Sequence, residues 1–410
     1  AADVDHLVSN ERILAQLEIT ETPLVQGNTF SIDEPIKGSL CLKELMKNHN
    51  RQFASTVNVS SNEPFILTMT SGSTGAPKPI ILTQETKIQR AKAAQLAYDI
   101  SKDDVTLAAT PLYHSLAERL VVTPLITGGT SVVLKRFTPK LWLETISEMG
   151  VTFTIAVSSQ LAQVANYLST EGFDGSLKLR CLVSSSALLE VPVKEALLRA
   201  LVCEFHECYG TSEIAIATSI YYNANEGKLD SVGRAIPGVD LKIVDDSGAY
   251  VETGQPGEIV CKTPMIYGGY YKLPELTKQA FIEGYFRTGD IGKLDSDGFL
   301  KFLGRKKEII ISGGINIYPS DIETEIRNID SVKECAAFPY PDEQLGEVIA
   351  VAIVPESKED FNLRAVKKAC LIALSDFQQP RKYFLVEELP KNGLGKLMKH
   401  ELIKQLIRIH

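Results

Sequence analysis

Apolar runs and amphipathic segments alternate along the first half of the chain, after a weakly patterned opening at residues 1–62. In the segment Gln84–Tyr98, apolar residues recur at spacings of three and four, which is typical of a helix with one buried face. Strand-like runs lie on both sides of it and cover 63–70, 104–110, 130–135, 151–158, 179–186 and 203–209. This alternation predicts an α/β fold with a sheet covered on both faces.

The pattern changes at about residue 215, where β-rich runs are joined by turns at Asp245–Gly248 and Asp295–Gly298. We therefore expect a β-rich subdomain over about 215–304. The second turn resembles part of a calcium-binding loop, but it lacks the later acidic positions and the closing glutamate of such a loop. An ordinary turn is favoured there.

The residues after Arg305 have a mixed pattern of their own. Strand-like and helix-like segments alternate there, at Glu308–Ile311, Pro319–Ile329, Glu347–Val354 and Leu363–Leu374. A length of 410 residues is also too great for one ordinary core. We expect a large domain of layered mixed sheets and helices at 1–304, followed by a small α+β domain at 305–410.

Composition and charge exclude several classes of protein. Hydrophobic residues make up 44% of the chain and charged residues 23%, as in ordinary globular proteins. The net charge of −8 leaves no basic surplus for an extended nucleic-acid surface, although a small nucleotide needs only a local positive site. No apolar run could span a bilayer, and the opening Ala1–His6 does not resemble a signal peptide, so we expect a cytoplasmic protein.

The seven cysteines are scattered along the chain, which argues against a disulfide framework. One cluster, Cys203, His206 and Cys208, contains residue types that bind zinc. On a strand, however, Cys203 points to the opposite face from the other two, and no fourth ligand is near in sequence. Reduced, mostly buried thiols are expected rather than a metal site.

A stretch rich in glycine and hydroxyl groups, Thr68–Pro79, directly follows the apolar run Phe65–Leu67. Glycines let backbone N–H groups approach an anion closely, while hydroxyl groups and a lysine add donors and charge. The spacing differs from that of the common nucleotide-binding loop. The alternative, a flexible linker, seldom follows an apolar strand directly. The candidate phosphate-binding residues are Thr70, Ser71, Gly72, Ser73, Thr74, Gly75 and Lys78.

Tyr209–Glu213 presents an aromatic ring, two hydroxyl groups and a carboxylate from one turn. These groups suit stacking on a base, contact with a phosphate and binding of Mg²⁺. The alternative is a capped helix start, with Thr211 or Ser212 as N-cap.

Two more candidates follow glycines. Asp290 comes after Gly289 and either accepts hydrogen bonds from ribose hydroxyls or closes a turn. Lys396 comes after Gly395, far along the chain from Lys78. An anion shared by the two lysines would explain both.

In combination, these stretches resemble the superfamily of adenylate-forming (AMP-binding) enzymes, in particular its acyl-CoA synthetase branch. The resemblance runs from about Glu63 to the C-terminus, in the family's order and with similar separations. It depends on eight motifs, at 70–78, Pro111–His114, Tyr209–Glu213, Gly254–Glu258, Arg287–Asp290, Gly304–Arg305, Ser312–Pro319 and Gly395–Lys396.

The resemblance implies a two-step reaction that uses ATP, Mg²⁺ and CoA. A carboxylate attacks the α-phosphorus of Mg·ATP, and a thiol then attacks the carbonyl of the acyl-adenylate. The loop at 70–78 would clamp the β- and γ-phosphates, and Glu213 would help to hold Mg²⁺. Lys396 would bridge the substrate carboxylate and the α-phosphate.

The resemblance also implies contacts with the nucleoside. Tyr209 would pack on adenine, while Asp290 and Arg305 would fix the ribose. The other implied nucleotide-binding positions are Ser185, Ser186, Ala187, Gly210, Thr211 and Ser212.

The family further implies that the small C-terminal domain is mobile and turns about a hinge at 305–307, centred on Lys307. In the second orientation, a strand containing Ser312, Gly313 and Gly314 would line the channel for the pantetheine of CoA. His114 would gate or orient the acyl group. The alternative for this residue is a histidine packed beside Tyr113 at a strand end.

This chain departs from the family pattern in places. Pro79 stands where many relatives have glycine, and Ser184–Ala187 replaces a glycine-rich turn. Relatives also place roughly a hundred further residues before the phosphate loop, the size of a subdomain. We therefore expect a naturally short form, a fragment or a processed product, with part of the N-terminal sheet missing.

The pattern leaves the acid and the acceptor open. The stretches expected to line the acyl pocket are mostly apolar and offer no acidic group for a substrate ammonium, which favours an aliphatic or aryl acid over an amino acid. The acceptor is CoA or the phosphopantetheine of a carrier protein. A non-catalytic nucleotide-binding relative is disfavoured because Lys396 and Glu213 are both present.

Overall fold

The computed structural model describes residues 7–9, 14, 29–32, 34, 39–48, 60–70, 78–392 and 395–407. No helix in these ranges combines the length and apolar character needed to cross a membrane. The α-helices are α1 (Leu42–Asn48), α2 (Gln84–Tyr98), α3 (Ser115–Thr127), α4 (Pro139–Met149), α5 (Ser158–Thr170), α6 (Val191–Ala200), α7 (Pro274–Gln279), α8 (Pro319–Arg327), α9 (Leu363–Ala373) and α10 (Lys399–Ile407).

Two small sheets precede the central sheet along the chain. In the first, β1 (Leu7–Ser9), β2 (Thr29–Ser31) and β3 (Leu40–Cys41) pair in parallel. In the second, β4 (Pro64–Thr70) pairs with β5 (Lys78–Thr83) in antiparallel register. The strand predicted at 63–70 is thus present as β4.

A seven-stranded sheet forms the centre of the large domain. Its strands are β6 (Val105–Ala108), β7 (Thr130–Val133), β8 (Phe153–Val157), β9 (Cys181–Ser185), β10 (Glu204–Tyr209), β11 (Thr218–Tyr221) and β12 (Arg234–Ala235), in the order β12-β11-β10-β9-β8-β6-β7. The five from β10 to β7 are parallel, and β11 and β12 extend the sheet in antiparallel register. Their carboxyl ends meet at one edge, where ligands bind in sheets of this kind.

Helices cover both faces of this sheet, as the alternating pattern predicts. On one face, α2 and α3 pack against Phe153 and Ile155, and on the other, α4, α5 and α6 pack against Leu107 and Leu182. The helix predicted at Gln84–Tyr98 has those bounds as α2. The Thr83 hydroxyl accepts a hydrogen bond from the Thr86 N–H at 3.1 Å and caps its start.

The predicted β-rich region contains a five-stranded antiparallel sheet. Its strands are β13 (Asp240–Val244), β14 (Gly257–Lys262), β15 (Phe281–Ile282), β16 (Tyr285–Leu294) and β17 (Leu300–Arg305). In the turn after β16, Asp295 accepts from the backbone N–H groups of Asp297 and Phe299 and forms an ion pair with Lys228 at 2.6 Å. An ordinary turn, not a calcium loop, is present there.

The C-terminal region forms a second five-stranded sheet with helices. Its strands are β18 (Ile310–Ser312), β19 (Ile315–Ile317), β20 (Val332–Asp342), β21 (Gly346–Pro355) and β22 (Lys382–Leu385). The strand predicted at Glu308–Ile311 was placed too early, because Lys306–Glu308 form a 3-10 turn. The sequence patterns did not predict β20. Arg327 forms an ion pair with Glu190 of the large domain at 3.4 Å.

Candidate functional site

The phosphate loop is bracketed by the two strands of the β4–β5 hairpin. Thr70, the last residue of β4, pairs with Lys78, the first of β5. The candidates Ser71, Gly72, Ser73, Thr74 and Gly75 lie outside the described residues. Lys78 is half-buried, and its Nζ lies 5.6 Å from the centroid of the Tyr270 ring.

Tyr209, Asp290 and Arg305 form a chain in which a hydrogen bond joins the first two residues and an ion pair joins the last two. The Tyr209 hydroxyl donates to Asp290 Oδ2 at 2.8 Å, and Arg305 Nε lies 2.9 Å from Asp290 Oδ1. Asp290 is 1% exposed, and burial raises the pKa of its carboxyl although Arg305 and Tyr209 act in the opposite direction. Burial also raises the pKa of Tyr209, so its hydroxyl remains a donor. Three predicted nucleotide-binding residues therefore lie together.

Asp290 does not lie in a turn, although the preceding Gly289 suggested one. Asp290 lies inside β16 and is the register partner of Arg305 in β17. Gly289 has φ +68°, a left-handed conformation within the strand. Asp290 therefore closes no turn.

The residues after β10 form a tight turn. A Cβ on Gly210 would lie 2.0 Å from the Ala215 carbonyl oxygen, so only glycine fits there. Residues 212–215 form a turn with Ala215 at φ +63°, and no helix begins at this point of the described chain. The alternative that Thr211 or Ser212 caps a helix is therefore wrong. The Thr211 hydroxyl is buried without a hydrogen-bond partner.

The backbone of Glu213 is held from two sides. Its carbonyl accepts from Arg90 of α2 at 3.0 Å and from the Tyr267 N–H at 2.8 Å. Arg90 is 3% exposed and also donates to the Ser212 carbonyl at 2.9 Å. Helix α2 thus fixes the turn that carries Glu213. Nothing in the sequence pattern singled out Arg90.

Tyr270 connects Glu213 with Lys78. Its hydroxyl donates to Glu213 Oε1 at 3.1 Å, and its ring lies beside the Lys78 ammonium. Burial and the Glu213 carboxylate both raise the pKa of Tyr270, which keeps the hydroxyl protonated. The sequence pattern did not assign this role to Tyr270, although the surrounding stretch Gly268–Glu275 is rich in glycine and aromatic residues.

The serine-rich candidate turn continues from β9. Ser185 ends that strand, and Ser186 follows at φ +80°. Left-handed backbone favours glycine, so a serine here is strained by about 1 kcal/mol. Ala187 is exposed, and its carbonyl accepts a hydrogen bond from the Ser158 hydroxyl at the start of α5. The turn at Ser186 therefore has a backbone conformation that glycine usually adopts, although serine stands there.

Lys396 lies in a short loop. Its carbonyl accepts a hydrogen bond from the Asn392 N–H at 2.9 Å, which closes the loop. A Cβ on Gly395 would lie 2.5 Å from Ser159 Oγ of α5, so this loop contacts the large domain. Lys396 is open to solvent but crowded by surrounding atoms. This crowding, and then Arg305, lower the pKa of its ammonium, while Asp290 and Glu308 raise it.

Two predictions concern the small domain. Lys307 is exposed and lies in the 3-10 turn between β17 and β18, and its role as a hinge stays a prediction. Ser312 ends β18, but Gly313 at φ +56° and Gly314 at φ +84° form the turn to β19. The prediction of a strand over all three residues is therefore wrong at the two glycines, whose positive φ requires a turn.

His114 lies at the N-cap position of α3 and does not hydrogen-bond the helix with its side chain. Its ring centroid is 4.4 Å from that of Tyr113, and burial lowers the pKa of its imidazole. His114 thus packs beside Tyr113, as the alternative for this residue predicted. The role in the acyl pocket stays a prediction.

Residues of types that bind metals lie together at β9 and β10. Among the described residues, ligand atoms of Cys181, Glu204 and His206 lie within 4.8 Å of one another. Burial raises the pKa of the Cys181 thiol, which disfavours the thiolate that metals bind. Arg180 lies 3.7 Å from the Glu204 carboxylate and pairs with it.

Comparison with known proteins identifies relatives over most of the chain. A family described as AMP-binding enzyme matches residues 2–271, and one described as AMP-binding enzyme C-terminal domain matches 321–396. The indoleacetate–CoA ligase of Aromatoleum aromaticum is 30% identical over 97% of this chain and 78% of its own length. A 2-succinylbenzoate–CoA ligase of a Geobacillus species is 32% identical over 82% and 68%, respectively. The crystal structure of ATP-bound MatB from Rhodopseudomonas palustris superimposes with a TM-score of 0.88 at 26% identity, over 100% of this chain and 80% of that one.

Proposed function

Because the chain belongs to the family of AMP-binding enzymes, we propose that it is an AMP-forming carboxylate–CoA ligase. It converts a carboxylic acid and ATP into an acyl-adenylate and pyrophosphate, and then transfers the acyl group to CoA. The observation that carries the proposal is the contact of the Lys396 loop with the large domain at Ser159, which brings the charges of Lys396 and Asp290 within range of each other. Both relatives compared above are named as CoA ligases.

The nucleoside end of ATP binds at the Tyr209–Asp290–Arg305 chain in this proposal. The Asp290 carboxylate is oriented by a hydrogen bond from Tyr209 and an ion pair with Arg305, and its buried setting would strengthen the hydrogen bonds that it accepts from ribose hydroxyls. Tyr209 is 8% exposed, so only a small part of its side chain is open to a base. Ser185, Ser186, Ala187 and Gly210 border the base in this arrangement.

The phosphate end binds between the β4–β5 hairpin and Glu213. Mg²⁺ would be held by Glu213 and would neutralise charge on the pyrophosphate leaving group. The residues fit such an ion, because Tyr270 holds one Glu213 oxygen and the Thr211 hydroxyl is buried without a partner. Lys78, at the end of the loop 70–78, adds positive charge to the phosphates.

Lys396 places its ammonium between two anions, the substrate carboxylate and the α-phosphate. It thereby lowers the repulsion that opposes their approach. Thioester formation requires the small domain, 305–410, to turn about Lys307, so that Lys396 leaves and the Ser312–Gly314 turn approaches. The glycines of this turn leave room for pantetheine.

The protein works in the cytoplasm in this proposal. The six cysteines from Cys181 to Cys370 are free thiols, which suits a reducing compartment. ATP and CoA are its co-substrates, and the acid has an apolar body that packs against residues such as Ala156, Val157, Ala215 and Ile216, which are all buried.

A pyrophosphate-release screen with ATP, Mg²⁺ and a panel of carboxylic acids tests the proposal. We expect acid-dependent release of pyrophosphate and AMP, and formation of acyl-CoA when CoA is added. Lys396→Ala is the control for release at this site. AMP and acyl-adenylate without acylation of CoA would contradict the choice of CoA, and a phosphopantetheinylated carrier protein is then the acceptor to test.

A further inference from the structure

Three side chains with different donor groups share one face of the central sheet where β9 and β10 begin. Cys181, the first residue of β9, is the register partner of Glu204, the first residue of β10. His206 follows Glu204 by two positions on the same strand, so both point to the same face. The backbone register therefore places a thiol, a carboxylate and an imidazole beside one another.

The donor atoms of these side chains converge. One ligand atom from each of Cys181, Glu204 and His206 lies within 4.8 Å of the other two, and His206 Nε2 is 3.8 Å from Glu204 Oε2. Tetrahedral zinc, with bonds of about 2.0 to 2.3 Å, holds its ligand atoms about 3.3 to 3.6 Å apart. The Glu204 side chain is 45% exposed, so it has room to turn and close this small difference.

Other groups compete little for these donors. Within the described ranges, none of the three side chains takes part in a hydrogen bond, and the second charged neighbour of Glu204 is Arg180, at 3.7 Å. Arg180 has closer partners, because it donates to Asp104 at 3.1 and 3.2 Å and to the Tyr98 carbonyl at 3.0 Å. Asp104 thus offsets the charge of Arg180 and leaves Glu204 available to a cation.

Aromatic rings fix the plane of the imidazole. The His206 ring stacks on Tyr221 at a centroid distance of 5.0 Å, and Tyr98 lies edge-on at 5.3 Å. Burial, and then the charge of Arg180, lower the pKa of His206 to about 4, so the ring is neutral, as a metal ligand must be. His206 is therefore held in place before any ion binds.

Sulfur, nitrogen and oxygen donors in one set suit zinc, which often takes water as its fourth ligand. We propose that Cys181, Glu204 and His206 bind one zinc ion at the amino-terminal end of β9 and β10. The Cys181 thiol gives its proton to solvent on binding, since a divalent cation deprotonates a coordinating thiol and so reverses the effect of burial. The thiolate and the Glu204 carboxylate then balance the two charges of the ion.

This zinc site lies away from the proposed nucleotide site. Glu204 and Tyr209 are the first and last residues of β10, about 16 Å apart at 3.3 Å per residue. The ion would join two neighbouring strands where they begin, and an ion that binds only the folded chain stabilises it. The inference is independent of the ligase proposal.

Titration of the full chain, freed of metal with a chelator, tests the proposal. Calorimetry with Zn²⁺ in excess Mg²⁺ gives the stoichiometry and Kd, and Mg²⁺ occupies sites made of oxygen ligands alone. Co²⁺ in place of Zn²⁺ reports a metal–thiolate bond through its charge-transfer absorption. The ligand variants are Cys181→Ser and Glu204→Gln. Cys203→Ser is the matched control, because Cys203 precedes Glu204 directly but packs on the opposite face of the sheet from Cys181.

We expect the wild-type protein to bind one zinc ion, to show the thiolate–cobalt absorption and to gain thermal stability with Zn²⁺. Cys181→Ser should abolish the absorption. Each ligand variant should lower the zinc affinity by more than the roughly 10- to 100-fold that loss of an outer partner costs. Cys203→Ser should keep the affinity, the absorption and the rise in Tm.

Two outcomes overturn the inference. The first is a wild-type protein that binds no zinc in excess Mg²⁺. The second is wild-type affinity in Cys181→Ser or Glu204→Gln, because the ion then binds elsewhere. Glu204 is exposed, so Glu204→Gln decides even where Cys181→Ser, which alters a fully buried residue, does not fold. Neither outcome bears on the ligase proposal, which acid-dependent pyrophosphate release tests separately.

Discussion

At the scale of single residues, the charge of Lys396 has the clearest consequence. Lys396→Ala should lower kcat/KM for adenylation by about 100- to 1000-fold, the range seen when a donor to developing negative charge is removed. Pyrophosphate release measures this step. Lys391→Ala is the matched control, because Lys391 lies in the same loop and pairs with Glu334 at 2.6 Å, away from the site. Equal rates for Lys396→Ala and the wild-type protein would contradict the assigned role.

The same lysine predicts a pH dependence. Crowding and Arg305 lower the pKa of Lys396 from 10.5, so its cationic form is lost at a lower pH than for an ordinary lysine. Because adenylation needs the cation, kcat/KM should fall as the pH rises through this lowered pKa. A pH profile of pyrophosphate release, with Lys391→Ala for comparison, measures the fall. A profile that stays flat up to pH 10.5 would contradict the prediction.

Tyr209 should contribute to both stability and nucleotide binding. Tyr209→Phe removes the only hydroxyl that donates to Asp290 Oδ2 among the described residues. Leaving this buried acceptor unpaired costs about 1 to 3 kcal/mol of the free energy of unfolding, and the KM for ATP should rise. Urea denaturation and steady-state kinetics measure the two effects. Tyr250→Phe at the surface should change neither, and a Tyr209→Phe protein of wild-type stability would contradict the prediction.

Sequence motifs predicted the candidate ligand-binding residues better than the residues that keep these candidates in position. Tyr209, Asp290 and Arg305 were predicted and lie together. Arg90 was not, because a single arginine in an amphipathic helix is usually a solvated residue and its partners lie 122 to 175 positions away. Tyr270 was missed for the same reason, since only tertiary contact places it between Lys78 and Glu213.

At the scale of elements, the turn after β10 depends on one glycine. In Gly210→Ala the new methyl group would lie 2.0 Å from the Ala215 carbonyl, so the turn carrying Glu213 must move. We expect a loss of about 1 to 3 kcal/mol in the free energy of unfolding, and a weaker dependence of activity on Mg²⁺. Gly227→Ala is the control, because no atom lies within 4 Å of its added Cβ. Equal stability of the two variants would contradict the prediction.

Elements were predictable where several local sequence signals agree. Helix α2 was predicted with its bounds, since apolar spacing and the Thr83 cap agree there. Strand β20 was missed because Pro339 and Pro341 argue against a strand, but β20 lies at the edge of its sheet, where proline is tolerated. The Gly313–Gly314 turn was missed because the strand there was implied by the family resemblance, although two adjacent glycines are typical of a turn.

At the scale of the whole molecule, the described part of the small domain contacts the large one at several places, including an ion pair of Lys306 with Glu258 at 3.2 Å. The Ser320 hydroxyl donates to the Leu303 carbonyl at 2.8 Å, Arg327 pairs with Glu190, and Gly395 packs on Ser159. The exposed ion pair contributes at most about 1 kcal/mol. In the proposed function, these contacts hold the Lys396 loop against the large domain during adenylation and break when the small domain turns for the second half-reaction.

The contact between Gly395 and Ser159 permits a test of this arrangement. Ser159→Phe adds bulk on the large domain where a Cβ on Gly395 already has no room, so it should displace the Lys396 loop without altering the hinge. Adenylation should slow by about 5- to 100-fold, as for overpacking at an interface. Thioester formation from a supplied acyl-adenylate should keep its rate, because it uses the other orientation. Ser169→Phe, at an exposed position of the same helix, should affect neither half-reaction. If Ser159→Phe slows both half-reactions equally, the two steps do not use different orientations of the small domain.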